Sequence, residues 1–154
     1  MGHQVRRAEA GDANDISQVI VRALRETNAR DYAPEIIARL ERSFTPSAVE
    51  QQIERRDVFV GLIDDRIVGT ASLEGQVIQT VFVSPDAQGR GVGRLLMQAV
   101  EATARERQVA VLHLSSSITA ETFYAGLGFR AVRDAFYGDE RSIVMERILS
   151  PTAS

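Results

Sequence analysis

Val81-Phe82-Val83-Ser84-Pro85-Asp86-Ala87-Gln88-Gly89-Arg90-Gly91-Val92-Gly93-Arg94-Leu95-Leu96 decides the fold. It reads as a strand, a proline stop, a glycine-rich turn and the opening of a helix. Proline cannot donate to a sheet ladder, so the strand ends before Pro85. A helix start carries unpaired backbone N–H groups and a partial positive charge. Glycines clear side chains from the path of an anion approaching that backbone. The segment therefore has the build of a diphosphate cradle. Two familiar cradles do not fit. A P-loop ends in Gly-Lys-Ser/Thr, and all 18 basic residues of this chain are arginine. A dinucleotide fingerprint wants a third glycine three residues after the second; counted from Gly91 and Gly93, that place holds Leu96. It also wants an early βαβ unit, whereas this loop follows a strand meander.

That meander lies just upstream. Val58 to Ile63 is rich in strand formers, Asp64-Asp65 turns, and Ile67 to Leu73 returns as a hairpin partner. Glu74-Gly75 turns again into Val77 to Val83. Further upstream, Val5 to Ala8 suits a first strand, and Asp12 is placed to cap a helix running to about Glu26. Pro34 and Pro46 suit the first turns of two shorter helices. Downstream, Val92, Leu95, Leu96, Ala99, Val100 and Thr103 give a helix to Gln108 an inner stripe. Val109 to Leu114 lacks alternation and reads as a buried parallel strand. Thr119 to Leu127 predicts a helix that ends at Gly128. Phe129 to Arg133 and Ser142 to Leu149 close the sheet. The order predicts one α+β domain over residues 1–154, with a mixed, mostly antiparallel sheet of about seven strands and helices on both faces.

The bulk properties exclude several functions. A net charge of -3 without a basic run argues against nucleic acid as the partner. The chain has no cysteine, hence no disulfide framework, no thiolate nucleophile and no cysteine-based metal site. No apolar run approaches the roughly 20 residues of a membrane span. These features predict a cytoplasmic protein that uses no metal and meets neither nucleic acid nor membrane, as a monomer or homodimer.

Gln88-Gly89-Arg90-Gly91-Val92-Gly93 after Val81-Phe82-Val83-Ser84-Pro85 resembles motif A of the GNAT acetyltransferases. Ala120-Glu121-Thr122-Phe123-Tyr124-Ala125-Gly126-Leu127-Gly128-Phe129 looks like the motif B that accompanies it. Arg6-Arg7-Ala8 followed by Asp12 looks like the family's entry strand and first helix, so the resemblance spans nearly the whole chain. It implies the GNAT fold, with a splayed parallel strand pair that binds acetyl-CoA. It also implies direct transfer of the acetyl group to a primary amine. The cofactor residues it implies are Val81, Phe82, Val83, Gln88, Gly89, Arg90, Gly91, Val92, Gly93, Arg94, Ser115, Ser117, Phe123 and Tyr124. Tyr124 becomes the proposed acid that protonates the departing thiolate; Leu127 and Phe129 remain packing residues.

A subgroup of small bacterial members has Asn-Ala-Ser-x-x-Ala before the motif B helix and Asp-Tyr-x-Pro-Glu after the first helix. This chain has Ser115-Ser116-Ser117 and Ala120 at the first place, with serine replacing the asparagine, and Asp31-Tyr32-Ala33-Pro34-Glu35 at the second. The acceptor side is accordingly expected near Glu26, Tyr32, Gln79 and Tyr137, with the acidic Asp139-Glu140 pair at its mouth. The family's strand glutamate has no counterpart: the matching positions hold Val77 and Gln79. Glu74 is the substitute base, and His113 an alternative. A CoA-binding module without catalysis, or an enzyme acting on proteins, are the competing readings. The acceptor is expected to be a small amine.

Overall fold

In the computed structural model, residues 2–138 and 140–149 are described. One sheet holds seven strands in the order β1-β2-β3-β4-β5-β7-β6. The strands are β1 (His3–Arg7), β2 (Asp57–Ile63), β3 (Arg66–Glu74), β4 (Val77–Val83), β5 (Val111–Ser116), β6 (Arg130–Tyr137) and β7 (Glu140–Ile148). Every neighbouring pair is antiparallel except β4–β5. The helices are α1 (Ala13–Glu26), α2 (Pro34–Glu41), α3 (Pro46–Arg55), α4 (Val92–Glu106) and α5 (Glu121–Gly126). None of the described helices is long and apolar enough to cross a membrane.

The sheet separates two cores. Leu73, Ile78, Leu112, Leu114, Ile143 and Met145 pack with Val92, Leu96 and Val100 of α4 and with Tyr124 of α5. On the other face, Val58, Val60 and Leu62 meet Ile16, Ile20 and Leu24 of α1, Ile36 and Ile37 of α2, and Val49 of α3. Period-two alternation along β2 feeds both cores at once, which is why this strand is apolar throughout.

α4 lies close to the sheet because two glycines admit it. A Cβ on Gly61 would stand 2.7 Å from Cγ1 of Val92, and one on Gly69 would stand 3.0 Å from Cδ1 of Leu96. Gly61 and Gly69 face each other across β2 and β3. The first turns of α4 sink into this bare strip, and the helix start arrives just past the end of β4.

Several expected boundaries move. β5 begins and ends two residues later, so Ser115 and Ser116 belong to the strand rather than to a loop before α5. α5 is shorter than the expected helix, and β6 is longer than the expected strand. In α4, Met97 and Ala104 are buried while Leu95 and Ala99 are only partly so, which rotates the inner stripe from the one expected. Asp12 does not cap α1 with its side chain. It accepts the N–H of Glu9 at 2.7 Å and both guanidinium nitrogens of Arg6 at 2.8 and 3.2 Å, closing the short turn before the helix. The Arg6 hydrogen bonds hold its carboxyl below the usual carboxylate range.

Candidate active site

The site is a fork in the sheet. β4 and β5 share one registered pair, Val77 with His113, sealed by the His113 N–H to the Gln76 carbonyl at 3.0 Å. Beyond it β4 runs on to Val83 and β5 to Ser116 without further pairing. The edge of β4 that faces the fork therefore keeps backbone donors and acceptors off the ladder. Val81, Phe82 and Val83 lie along this edge, partly buried. Phe82 packs edge-on against Phe44 at 5.8 Å.

At the open end stands the glycine loop. Gly89 and Gly91 have φ of 79° and 86°, the left-handed region that favours glycine, and a Cβ on either would meet nothing within 4 Å. Gly91 is the N-cap of α4, and no side chain caps the helix. The first N–H groups of α4 thus remain open to an anion. Gly93 differs: a Cβ there would stand 3.1 Å from Cζ of Phe123. Its bareness seats the α5 aromatic against the first turn of α4 rather than clearing the loop. Gln88 donates to the Thr27 hydroxyl at 3.1 Å and to the Val83 carbonyl at 3.5 Å, tying the loop to the end of α1. Arg90 and Arg94 are exposed and pair with no described carboxylate. Free glycines, uncapped helix start and unpaired cations fit a diphosphate.

The other wall comes from β5 and α5. Ser115 is exposed at the strand end, while the Ser117 hydroxyl accepts the Ala120 N–H at 3.1 Å and shapes the entry to α5. Phe123 is half-exposed beside Tyr124, their rings 5.2 Å apart edge to face. Tyr124 is 5% exposed, and its hydroxyl bonds to no other described residue. Burial pushes this phenol well above its ordinary value, so it keeps its proton through the neutral range.

The residues expected on the acceptor side fall in different places. Tyr32 is buried, and its hydroxyl accepts the Ile118 N–H and donates to the Arg141 carbonyl, both at 2.8 Å. Its one donor and an acceptor position are thus taken by backbone from β7 and from the β5–α5 loop. Asp31 next to it accepts from the Thr119 hydroxyl at 2.7 Å. Glu26 lies beside the cofactor loop, paired with Arg22 at 3.3 Å, while Arg22 also reaches Ser84. Tyr137 is 68% exposed at the end of β6. Glu140 pairs with Arg39 at 2.7 Å, and Asp139 lies outside the described residues. Glu74 ends β3 with its carboxylate in the grip of Arg56 at 3.2 Å and of the Gln79 amide at 3.0 Å. His113 sits at the root of the fork, opposite Glu146 of β7. Sequence reasoning missed Arg56, since a helix-end arginine has no local pattern that marks it.

A fork in a mixed sheet, with an open glycine loop and an uncapped helix start at its mouth, fits a ligand that carries a diphosphate. Residues 28–146 match the family model described as the acetyltransferase (GNAT) domain. The chain therefore belongs to the GNAT acetyltransferases, and acetyl-CoA is its cosubstrate. The chain is 27% identical over 130 residues to the uncharacterized N-acetyltransferase YafP of Escherichia coli K12, covering 84% of this chain and 83% of that one. The fold matches the GCN5-related N-acetyltransferase of Rhodopseudomonas palustris with a TM-score of 0.90 at 24% identity, over 97% of each chain. It matches the PaiA N-acetyltransferase of Thermoplasma acidophilum, solved in complex with coenzyme A, with a TM-score of 0.84 at 16% identity, over 97% of this chain and 100% of the other.

Proposed function

We propose that the chain, a single domain over residues 1–154, acetylates the primary amine of a small molecule by direct transfer. The observation that carries this reading is the open fork continuous with the uncapped start of α4. The backbone from Gln88 to Arg94 holds the diphosphate, with Arg90 and Arg94 adding positive charge. The free edge from Val81 to Val83 holds the amide-bearing arm on one side; Ser115, Ser117 and Phe123 line the other. Fixing the thioester beside the amine supplies proximity, and the β4 backbone polarises the carbonyl. The amine nitrogen bonds to the carbonyl carbon, the C–S bond breaks, Tyr124 gives its proton to the sulfur, and the proton shed by the nitrogen passes to water, from which the phenol is restored. With no cysteine in the chain and no serine beside a recognisable base, the transfer proceeds without an acyl-enzyme.

Glu74 was the expected base, but its Oε1 accepts from both Arg56 and the Gln79 amide, which engages the carboxylate with the strand end. We assign proton loss from the amine to water, which favours acceptors of low pKa. Tyr32 then acts by joining the walls of the acceptor side, with Gln79 on its floor and Glu26 and Tyr137 at its margins. The reading includes a cytoplasmic location and a monomer or homodimer. The test is labelled acetyl-CoA with a panel of amines of graded pKa, products read by mass spectrometry. Labelled small N-acetyl products, formed faster from less basic amines, support the reading. Binding without transfer to any amine leaves a CoA-binding module; transfer to proteins alone overturns the small-molecule acceptor.

A further inference from the structure

The chain breaks a backbone rule at one place beside the fork. Thr80 has φ of +56°, a region that β-branched residues avoid. It forms a bulge. Thr70 pairs with Phe82 and Ser72 with Gln79, so Ala71 alone faces both Thr80 and Val81. The extra residue re-aims the strand: Ile78 and Val81 both turn to the α4 core, and Phe82 turns to the α1 core. This happens three residues beyond Val77, the last residue that β4 pairs with β5. Such strain persists only where the surroundings over-determine it.

The surroundings are three side chains, Arg56, Glu74 and Gln79. Arg56 follows the last turn of α3, where solvent is within easy reach; its neighbour Arg55 is exposed. Yet the Arg56 side chain is only 12% exposed. Its NH1 donates to the Thr80 hydroxyl at 3.2 Å and its Nε to Oε1 of Glu74 at 3.2 Å. The Gln79 amide donates to that same oxygen at 3.0 Å. A guanidinium loses hydration when it turns inward, so its direction needs these partners. Both the bulged residue and the one before it are thereby tied to the end of β3 and the end of α3.

We infer that Arg56, with Glu74 as its counter-ion, is a positioning residue that clamps the β4 bulge at Thr80 and so sets the backbone that faces the acyl group. The inference rests on the transfer reading above for its purpose, and on the geometry alone for the clamp. Arg56 touches neither reacting atom; it acts through Thr80.

The test uses Arg56→Met, which keeps the stem and removes the donors, and Thr80→Val, which keeps the shape and removes the acceptor. Amide hydrogen exchange on the free protein should rise at least about tenfold at Thr80 to Phe82 in both variants. The double variant should be no worse than Arg56→Met alone, because that variant has already lost the bond to Thr80. Acetyl-CoA affinity by calorimetry should stay within about threefold of wild type, since the glycine cradle is intact. The 13C resonance of bound acetyl-CoA labelled at the carbonyl should move toward its free position. Unchanged exchange at residues 80–82, or additive effects in the double variant, would overturn the clamp. A wild-type chain that fails to bind acetyl-CoA would sink the transfer reading instead, and the exchange measurement would still decide the clamp.

Discussion

Two pairs of glycines in this molecule are bare for opposite reasons. Gly61 and Gly69 have ordinary strand backbones and no room: a methyl group on either would run into Val92 and Leu96 of α4. Gly89 and Gly91 have room on every side and a backbone that side chains resist. The first pair seats the helix, and the second keeps its open end clear. An identical residue type thus marks the closed side of α4 and the open side. Gly93 stands between them; it lies in the motif yet belongs by contact to the closed set, under Phe123.

The comparison can be broken most severely at Gly91. Gly91→Val fills the open side and forces the turn. Acetyl-CoA binding should fall below detection by calorimetry, while circular dichroism and cooperative melting persist. Undiminished affinity would mean that the loop is a turn and not a cradle. Next comes Tyr124→Phe, which leaves the closed side untouched because the ring and its stacking remain. On the acceptor identified by the amine panel, kcat and kcat/KM should drop together, by about 10²–10⁴-fold. Acetyl-CoA affinity should hold. Because the phenol keeps its proton, no alkaline limb of the rate profile below about pH 10 should disappear in this variant. Wild-type turnover would leave Tyr124 as a core residue.

Gly61→Ala tests the closed side. Overpacking typically costs about 1–3 kcal/mol, so the melting temperature should fall, and acetyl-CoA affinity should weaken only as far as α4 is displaced. A variant as stable as wild type would show that the side chains of Val92 and Leu96 yield without strain. The smallest effect concerns the far end of α4, where Arg107 binds Asp57 together with Arg7. Hydrogen bonds from Arg107 first, and then Arg7, hold the Asp57 carboxyl below its usual range. A carboxyl depressed by folding stabilises above its unfolded pKa of about 3.9 and loses that contribution as pH falls through the lower folded value. Asp57→Asn should therefore cost less than about 1 kcal/mol at pH 7 and flatten the acid limb of a stability curve below about pH 4.

How far the sequence disclosed these features follows from how local their causes are. β4 ran from Val77 to Val83 as its residues indicated, because a glycine turn and a proline bound it on either side. The loop was legible for a like reason: the torsions of Gly89 and Gly91 are properties of their own residues. Gly61 and Gly69 gave no sign of their purpose, since it depends on a helix some 30 residues later in the chain. Tyr32 stood out within its motif, but its two partners lie 86 and 109 residues away, and they commit its hydroxyl to structure. Glu74 was visible as a carboxylate near β4; the arginine that claims it was not, because nothing around Arg56 announces an inward turn. The expected helix from Thr119 was too long because its apolar periodicity extends through residues that the Ser117 turn keeps out of it.

The single rung between Val77 and His113 also makes the sheet mechanically uneven. β1 through β4 form one laddered leaf, and β5, β7 and β6 form another. A load that pulls the leaves apart bears on one backbone junction and on the helix packing across it, rather than on a row of bonds sharing the force. The seam that admits the cosubstrate is thus the line along which the molecule should tear first, and a ligand lying in it acts as a stitch.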